Sequence, residues 1–347
     1  MWWVLGPLLV VMVIGTVTAG FVRAPYVAYA PGSARSTEPL VQVPRGEGYR
    51  TPGEVLFTTV SVVQRPSYLQ ALWGWVAGDV DVFPSEAIYG DQSAEESRRV
   101  NLQMMDTSKL MAAKVAFEKL GYRVPVRGTG VLLVAVEPNL PVSGMLRPGD
   151  VVTAVDGSRV RLDTELIAAI GSQRPGDRVH LALDRPGRAE PVEVDVILSA
   201  RPDDREQPML GVQIQTRDLR FDFPFAVTID SGSVGGPSAG LAFTLALLDR
   251  LTPGSLTGGH RVAVTGEIGP AGQVLDVGGV AQKAVAAREA GAELFLVPAA
   301  EVAEARAHAG AMTVARVTTL DDALKALSRL GGNALALGRP GADRPGA

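Results

Sequence analysis

The sequence predicts a multidomain α+β chain in which an apolar N-terminal helix, a β-rich module and an α/β domain follow one another. Three observations predict it. An uncharged stretch opens the chain, short strands and tight turns fill its middle, and apolar strands alternate with helices toward its end. The 347 residues are enough for two or three domains. A net charge of −4 supplies no basic field for nucleic acid. No cysteine is present for disulfides, thiol catalysis or zinc, and the three histidines lie far apart without a His-Glu-x-x-His pattern. The expectation is no nucleic-acid partner, no metal and no cofactor.

Residues 2–22 carry no charge and, as a helix of roughly 31 Å, match a bilayer core. Residues 1–22 are therefore expected to be a retained transmembrane anchor, with Trp2 and Trp3 at the interface. The rival is a signal peptide cut after Ala28-Tyr29-Ala30, but Pro31 would follow the cut and no basic segment precedes the apolar run. The expected location is the cell membrane, single-pass, with the body outside the cytoplasm, although Arg23 after the span does not orient it by charge.

Residues 23–125 read as a juxtamembrane α/β region. Residues 55–63 are a β-branched strand, and residues 93–120 a long helix opened by Ser93 with Glu96 three positions on. Trp73 and Trp75 near Tyr68 read as a small core. No chemistry is evident here.

Residues 126–200 change to strands at 131–136, 151–155, 179–183 and 192–198, with a helix at 163–170. The run Arg147-Pro148-Gly149-Asp150-Val151-Val152 leading to Val155-Asp156-Gly157 resembles the hallmark of PDZ domains. That resemblance implies a groove where an extended peptide adds to a strand edge, with Gly128, Thr129, Gly130 and Val131 as the peptide-binding loop.

Residues 205–332 form the α/β domain, followed by a flexible Gly/Pro/Ala tail at 333–347. A strand at 225–229 runs into a glycine loop, and residues 239–251 are an apolar helix, so Ser238 stands where the loop enters the helix. Free N–H groups of a first turn suit a developing oxyanion. A simple helix cap is the bland alternative. No Gly-Lys-Ser or Gly-Lys-Thr occurs, so the loop is not a phosphate cradle. Gly236-Pro237-Ser238-Ala239-Gly240 also fits the elbow of Ser-Asp-His esterases, for which only His260 and His308 lie downstream.

A strand at 261–268, a turn at 269–272 and a return at 274–277 lead to a helix at 280–290 that holds Lys283 in its first turn. Five of the 33 basic residues are lysine and the rest arginine. Arginine cannot give up its proton, whereas a desolvated lysine becomes a base. Gly236-Pro237-Ser238-Ala239-Gly240, Thr265-Gly266-Glu267-Ile268, Gly272-Gln273-Val274-Leu275-Asp276-Val277-Gly278-Gly279 and Lys283, in that order, closely resemble the Lon proteolytic domain. With the apolar span and the PDZ-like module, the whole chain resembles the YlbL-type, PDZ-containing, membrane-anchored Lon-like proteases of bacteria.

The resemblance implies a Ser-Lys dyad, with Ser238 as nucleophile, Lys283 as general base and Thr265 as the hydroxyl that orients the lysine. Gly235, Gly236 and Ser238 would form the oxyanion and substrate loop. Gly235 stands where many Lon sequences have an acidic residue. Lon's ATPase module is absent from the sequence, so the implied activity is ATP-independent cleavage of unfolded or flexible proteins and peptides. A ring-shaped homo-oligomer is implied as well. The competing readings are a catalytically silent PDZ adaptor and the Ser-Asp-His esterase.

Overall fold

A computed structural model describes residues 18–90, 93–334 and 336. In chain order the main strands are β1 (Tyr26–Ser36), β2 (Glu54–Gln64), β3 (Asp81–Pro84), β4 (Val131–Val136), β5 (Val151–Val155), β6 (Arg178–Asp184), β7 (Val192–Ile197), β8 (Val212–Thr216), β9 (Arg261–Val264), β10 (Leu294–Pro298) and β11 (Thr313–Val317). The helices are α1 (Tyr68–Val76), α2 (Ser85–Tyr89), α3 (Ala94–Lys119), α4 (Asp163–Gly171), α5 (Gly240–Leu251), α6 (Val280–Glu289), α7 (Val302–His308) and α8 (Leu320–Arg329). The chain divides into two units: one joins Met1–Arg123 to Pro224–Ala347, and the other is the intervening Val124–Phe223.

The first unit is built on a six-stranded sheet of order β11-β10-β9-β2-β1-β3. Strand β9 runs parallel to both β2 and β10, whereas β1 pairs antiparallel with β2 and β3. The strands of the region 23–125 thus complete the same sheet as the C-terminal segment. Successive side chains of a strand face opposite ways. Leu56 packs with Val280, Ala284 and Ala287 of α6, while Phe57 meets Phe243 of α5 with ring centroids 5.8 Å apart. Helices α5 and α6 therefore cover opposite faces of β2. Helix α3 packs on α5, and its start is the capping box read from Ser93 and Glu96.

Among the described residues no helix is long and apolar enough to cross a membrane. This corrects the expected N-terminal transmembrane helix in the fold class, and with it the single-pass membrane location. The helix that is described covers residues 18–21, and it ends at Val22, whose carbonyl accepts the Tyr68 N–H. Arg23 then bridges to Ser67 and the chain turns into β1, so no apolar helix continues there. The remainder of the apolar stretch, residues 1–17, lies outside the described residues.

Trp73 and Trp75 do not form a core: they are 72% and 58% exposed. Helix α1 turns its small residues inward, Ala71 and Gly74, because Gly74 lies so close to Val80 and Val82 that no larger side chain fits. The strand expected at 225–229 is reduced to Thr228–Ile229, paired with Val41–Gln42. Of the tail, Asn333 is held by hydrogen bonds to Ser255 and Pro253, and Ala334 is buried.

The second unit has the sheet order β7-β6-β5-β4-β8 over a core of Val131, Leu133, Val152, Leu166, Leu181 and Val196. The Arg147-to-Asp150 turn owes its shape to Asp150, which is 1% exposed, accepts the Arg147 N–H and takes two hydrogen bonds from Arg185. Helix α4 packs beside β8 and is tied to it by the Asp163 N–H donating to Thr216 Oγ1 at 2.9 Å.

Candidate active site

Gly236 introduces a short 3-10 turn, Pro237–Ala239, from which α5 continues. Its φ of 89° with ψ of 153° is a conformation open essentially to glycine, and it turns the chain so that Ser238 enters the helix on the side of the cleft. Strand β9 ends at Val264, and the two residues after it hold this turn. The Gly266 N–H donates to the Ser238 carbonyl at 2.9 Å, and the Leu241 N–H donates to the Gly266 carbonyl at 3.1 Å. Thr265 is fully buried, and its Oγ1 also lies 3.5 Å from the Ser238 carbonyl oxygen. The strand read over 261–268 is interrupted after Val264: the Thr265 N–H still donates to the Leu296 carbonyl of β10 at 3.0 Å, whereas the backbone of Gly266 is given to the serine turn.

Lys283 projects from the first turn of α6, is 3% exposed, and lines the same cleft of about 720 Å³ as Ser238. Burial pulls its pKa down to about 8 from 10.5, and the nearby charge of Glu301 opposes that fall. Asp276, Val277, Gly278 and Gly279 lead from the turn into α6 along the cleft wall. The structure thus brings Ser238, Lys283, Gly235 and Gly236 to one cavity. Thr265 stands behind Ser238, and among the described residues no hydrogen bond joins Thr265 or Ser238 Oγ to Lys283.

A further part of the cleft wall comes from the region in which the sequence shows no chemistry. Thr58, Thr59 and Val60 of β2 line the cleft, as do Ser97, Asn101 and Met105 from one face of α3. The Asn101 carbonyl accepts the Gly236 N–H at 2.7 Å, so one of the loop donors read as an oxyanion ligand is engaged within the chain. Nothing in the residue types of α3 signals this. Only the sheet, which brings distant segments together, puts α3 beside the serine.

His260 pairs with Glu293 at 2.8 Å and His308 lies 3.5 Å from Asp79. Among the described residues no histidine lines the cleft.

In the second unit, the loop read as the peptide cradle is closed. The Thr129 N–H donates to the Arg217 carbonyl, the Gly130 N–H to the Arg161 carbonyl, and Val131 is fully buried. Any side chain at Gly128 would collide with Arg161 and Thr216. Strand β4 has partners on both sides, β5 and β8. The free edge beside a helix is that of β8, entered through Leu210 and Gly211 at φ 72°.

A serine at a helix start and a buried lysine thus share one cleft. Residues 222–328 match the Lon protease (S16) C-terminal proteolytic domain, which suggests a peptidase, and residues 118–196 match the PDZ domain. Both domains are present in this chain. The Lon protease of Campylobacter concisus is 34% identical over 123 residues, covering 33% of this chain and 15% of that protein. The Lon protease of Phenylobacterium zucineum is 46% identical over 71 residues, covering 20% of this chain and 9% of that protein. The chain therefore spans only a small part of the Lon proteases it matches. Among solved structures, the PDZ domain of the SdrC-like protein from Listeria monocytogenes is similar at 25% identity, over 25% of this chain and 87% of that one, with a TM-score of 0.23.

Proposed function

We propose that the chain is a serine endopeptidase that cleaves unfolded or flexible proteins and peptides without ATP, through a dyad of Ser238 and Lys283. The observation that carries this reading is the shared cleft, in which a buried lysine with a pKa of about 8 stands with a serine at a helix start. Near neutral pH a useful fraction of such a lysine is free amine. Lys283 Nζ takes the proton as Ser238 Oγ bonds to the peptide carbonyl carbon, and then returns it to the leaving amine. Water attacks the acyl-enzyme by the reverse route.

The oxyanion falls to the N–H of Ser238 and the backbone at Gly235, because the Gly236 N–H is given to Asn101. Thr265 anchors the Ser238 carbonyl and is read as orienting Lys283 once substrate closes the cleft.

The second unit is read as a recruiting module. An extended peptide would add along the free edge of β8 beside α4, and the loop Gly128 to Val131 would brace the fold.

The test is incubation with an unfolded protein and fragment analysis by mass spectrometry. Ser238→Ala and Lys283→Ala should each abolish cleavage, with the double variant no worse than either. Lys283→Arg should be equally inactive, since a permanent cation cannot accept a proton. Activity in Lys283→Arg together with inactivity in His308→Ala would establish the esterase-type triad instead.

A further inference from the structure

Helix α6 begins without a side-chain cap, because its N-cap is Gly279 in the left-handed conformation at φ 67°. One donor of its first turn and one of the turn before it are served by two glutamates from the segment after β10. Glu304 Oε1 accepts the Ala281 N–H at 3.3 Å, and Glu301 Oε1 accepts the Val277 N–H at 2.9 Å. Val277, Gly278 and Gly279 line the cleft, so Glu301 holds the strip of backbone that leads into the helix of Lys283. The other oxygen, Oε2, is buried and has no hydrogen-bond partner. Such an oxygen keeps its field because little water screens it.

We infer that Glu301 is a positioning residue for Lys283: its bond to Val277 fixes the turn before α6, and its charge stabilises the protonated lysine and so restrains the base. Other titratable groups lie in the same cleft or at the start of α6. Asp276 on the preceding turn, Tyr29 of β1, Tyr89 of α2 and Arg98 of α3 line the cleft, and Glu304 faces the start of α6. Glu301 is the group whose charge acts on Lys283 against the effect of burial. The effect on rate rests on the reading of Lys283 as general base. The effect on the lysine does not.

The two are separated by measuring the lysine directly. Competitive acetic anhydride labelling over a pH series, read by mass spectrometry, gives the midpoint at which Lys283 becomes reactive. Glu301→Gln keeps an acceptor for Val277 and removes the charge. It should lower the midpoint from about 8 by about half a unit or more, and raise peptidase activity at pH 7 roughly two- to threefold. Glu301→Asp should hold the midpoint near 8, and Glu304→Gln should shift it less than Glu301→Gln does. An unmoved midpoint in Glu301→Gln, or an equal shift in Glu304→Gln, overturns the inference. A shifted midpoint without any change in the pH profile of cleavage supports Glu301 as partner of the lysine and refutes the lysine as base.

Discussion

The hydroxyl of Ser108 donates to the carbonyl oxygen of Pro237 at 2.9 Å, so the residue before Ser238 is fastened to the middle of helix α3. Together with the bond from Gly236 to Asn101, this gives the serine turn two anchors on an element more than a hundred residues away in sequence. Ser108→Ala should remove one of them at a cost of about 1 kcal/mol in stability. The sharper readout is kinetic. On the proposed mechanism we expect kcat for a short peptide to fall roughly tenfold with little change in KM, because a loosened turn misplaces Ser238 more than it weakens binding.

Gly236→Ala tests the backbone of the same turn. At φ 89° the added Cβ meets strain of about 1–3 kcal/mol, and the turn relieves it by moving. The variant should remain folded by circular dichroism and lose most of its peptidase activity. Full activity would show that the observed turn geometry is not the working one.

Lys283 makes the fold less stable near neutral pH. Its folded pKa of about 8 lies below the 10.5 of an unfolded chain, so between these values the unfolded state binds more protons and stability rises with pH. Lys283→Met removes a charge that burial disfavours, at roughly 3 kcal/mol. Its melting temperature should exceed that of the parent at pH 7, and the advantage should shrink toward pH 10.

The sign is opposite at Asp249, which is 2% exposed and whose pKa burial raises, against hydrogen bonds from Thr51 and the Leu256 N–H. Its contribution to stability is complete at low pH and is lost as pH rises through the folded value. Asp249→Asn should flatten that decline, seen as a smaller drop in melting temperature as pH rises above the 3.8 of an ordinary aspartate. An unchanged slope would assign the decline to other groups.

The two segments of the first unit meet where they flank residues 124–223 in the chain. Tyr122 and Phe225, just outside that stretch, have ring centroids 6.3 Å apart, and Phe117 packs against both at 5.7 and 5.0 Å. Replacing Val124–Phe223 by a short linker should leave reporter-peptide kcat nearly unchanged and raise KM for protein substrates several-fold. Joint loss of reporter cleavage and melting temperature would assign the module a bracing role instead.

What was legible in the sequence is what local chemistry decides. Ser93 and Glu96 announce a helix start, and in the structure each side chain bonds the other's N–H. Ser238 stood out by its glycines and Lys283 by its isolation among arginines, since both depend on neighbours within a few residues. The contribution of α3 did not. Asn101 and Ser108 touch the serine turn only because β2 pairs with β9, and no periodicity within residues 93–120 encodes that distant register. The backbone engagement of the loop Gly128 to Val131 was hidden for the same reason. Gly128-Thr129-Gly130 has the composition of a cradle, but β8, arriving some eighty residues later, pairs with β4 and takes its edge. Trp73 and Trp75 misled through their hydrophobicity, which says nothing of which face of α1 meets the sheet.

The parallel pairing of Val55 with Val262 spans about two hundred residues, and such distant closures are slow to form. During synthesis β1, β2 and α3 leave the ribosome well before β9 and Lys283, while Val124–Phe223, contiguous in the chain, can fold as soon as it emerges. Until then Leu56 and Phe57 lack the helices that cover them, so a nascent chain presents apolar surface and calls for chaperone protection. The same delay has a protective side. The halves of the cleft meet only after α6 has been made, so a translation product that stops before Lys283 carries no assembled cleft.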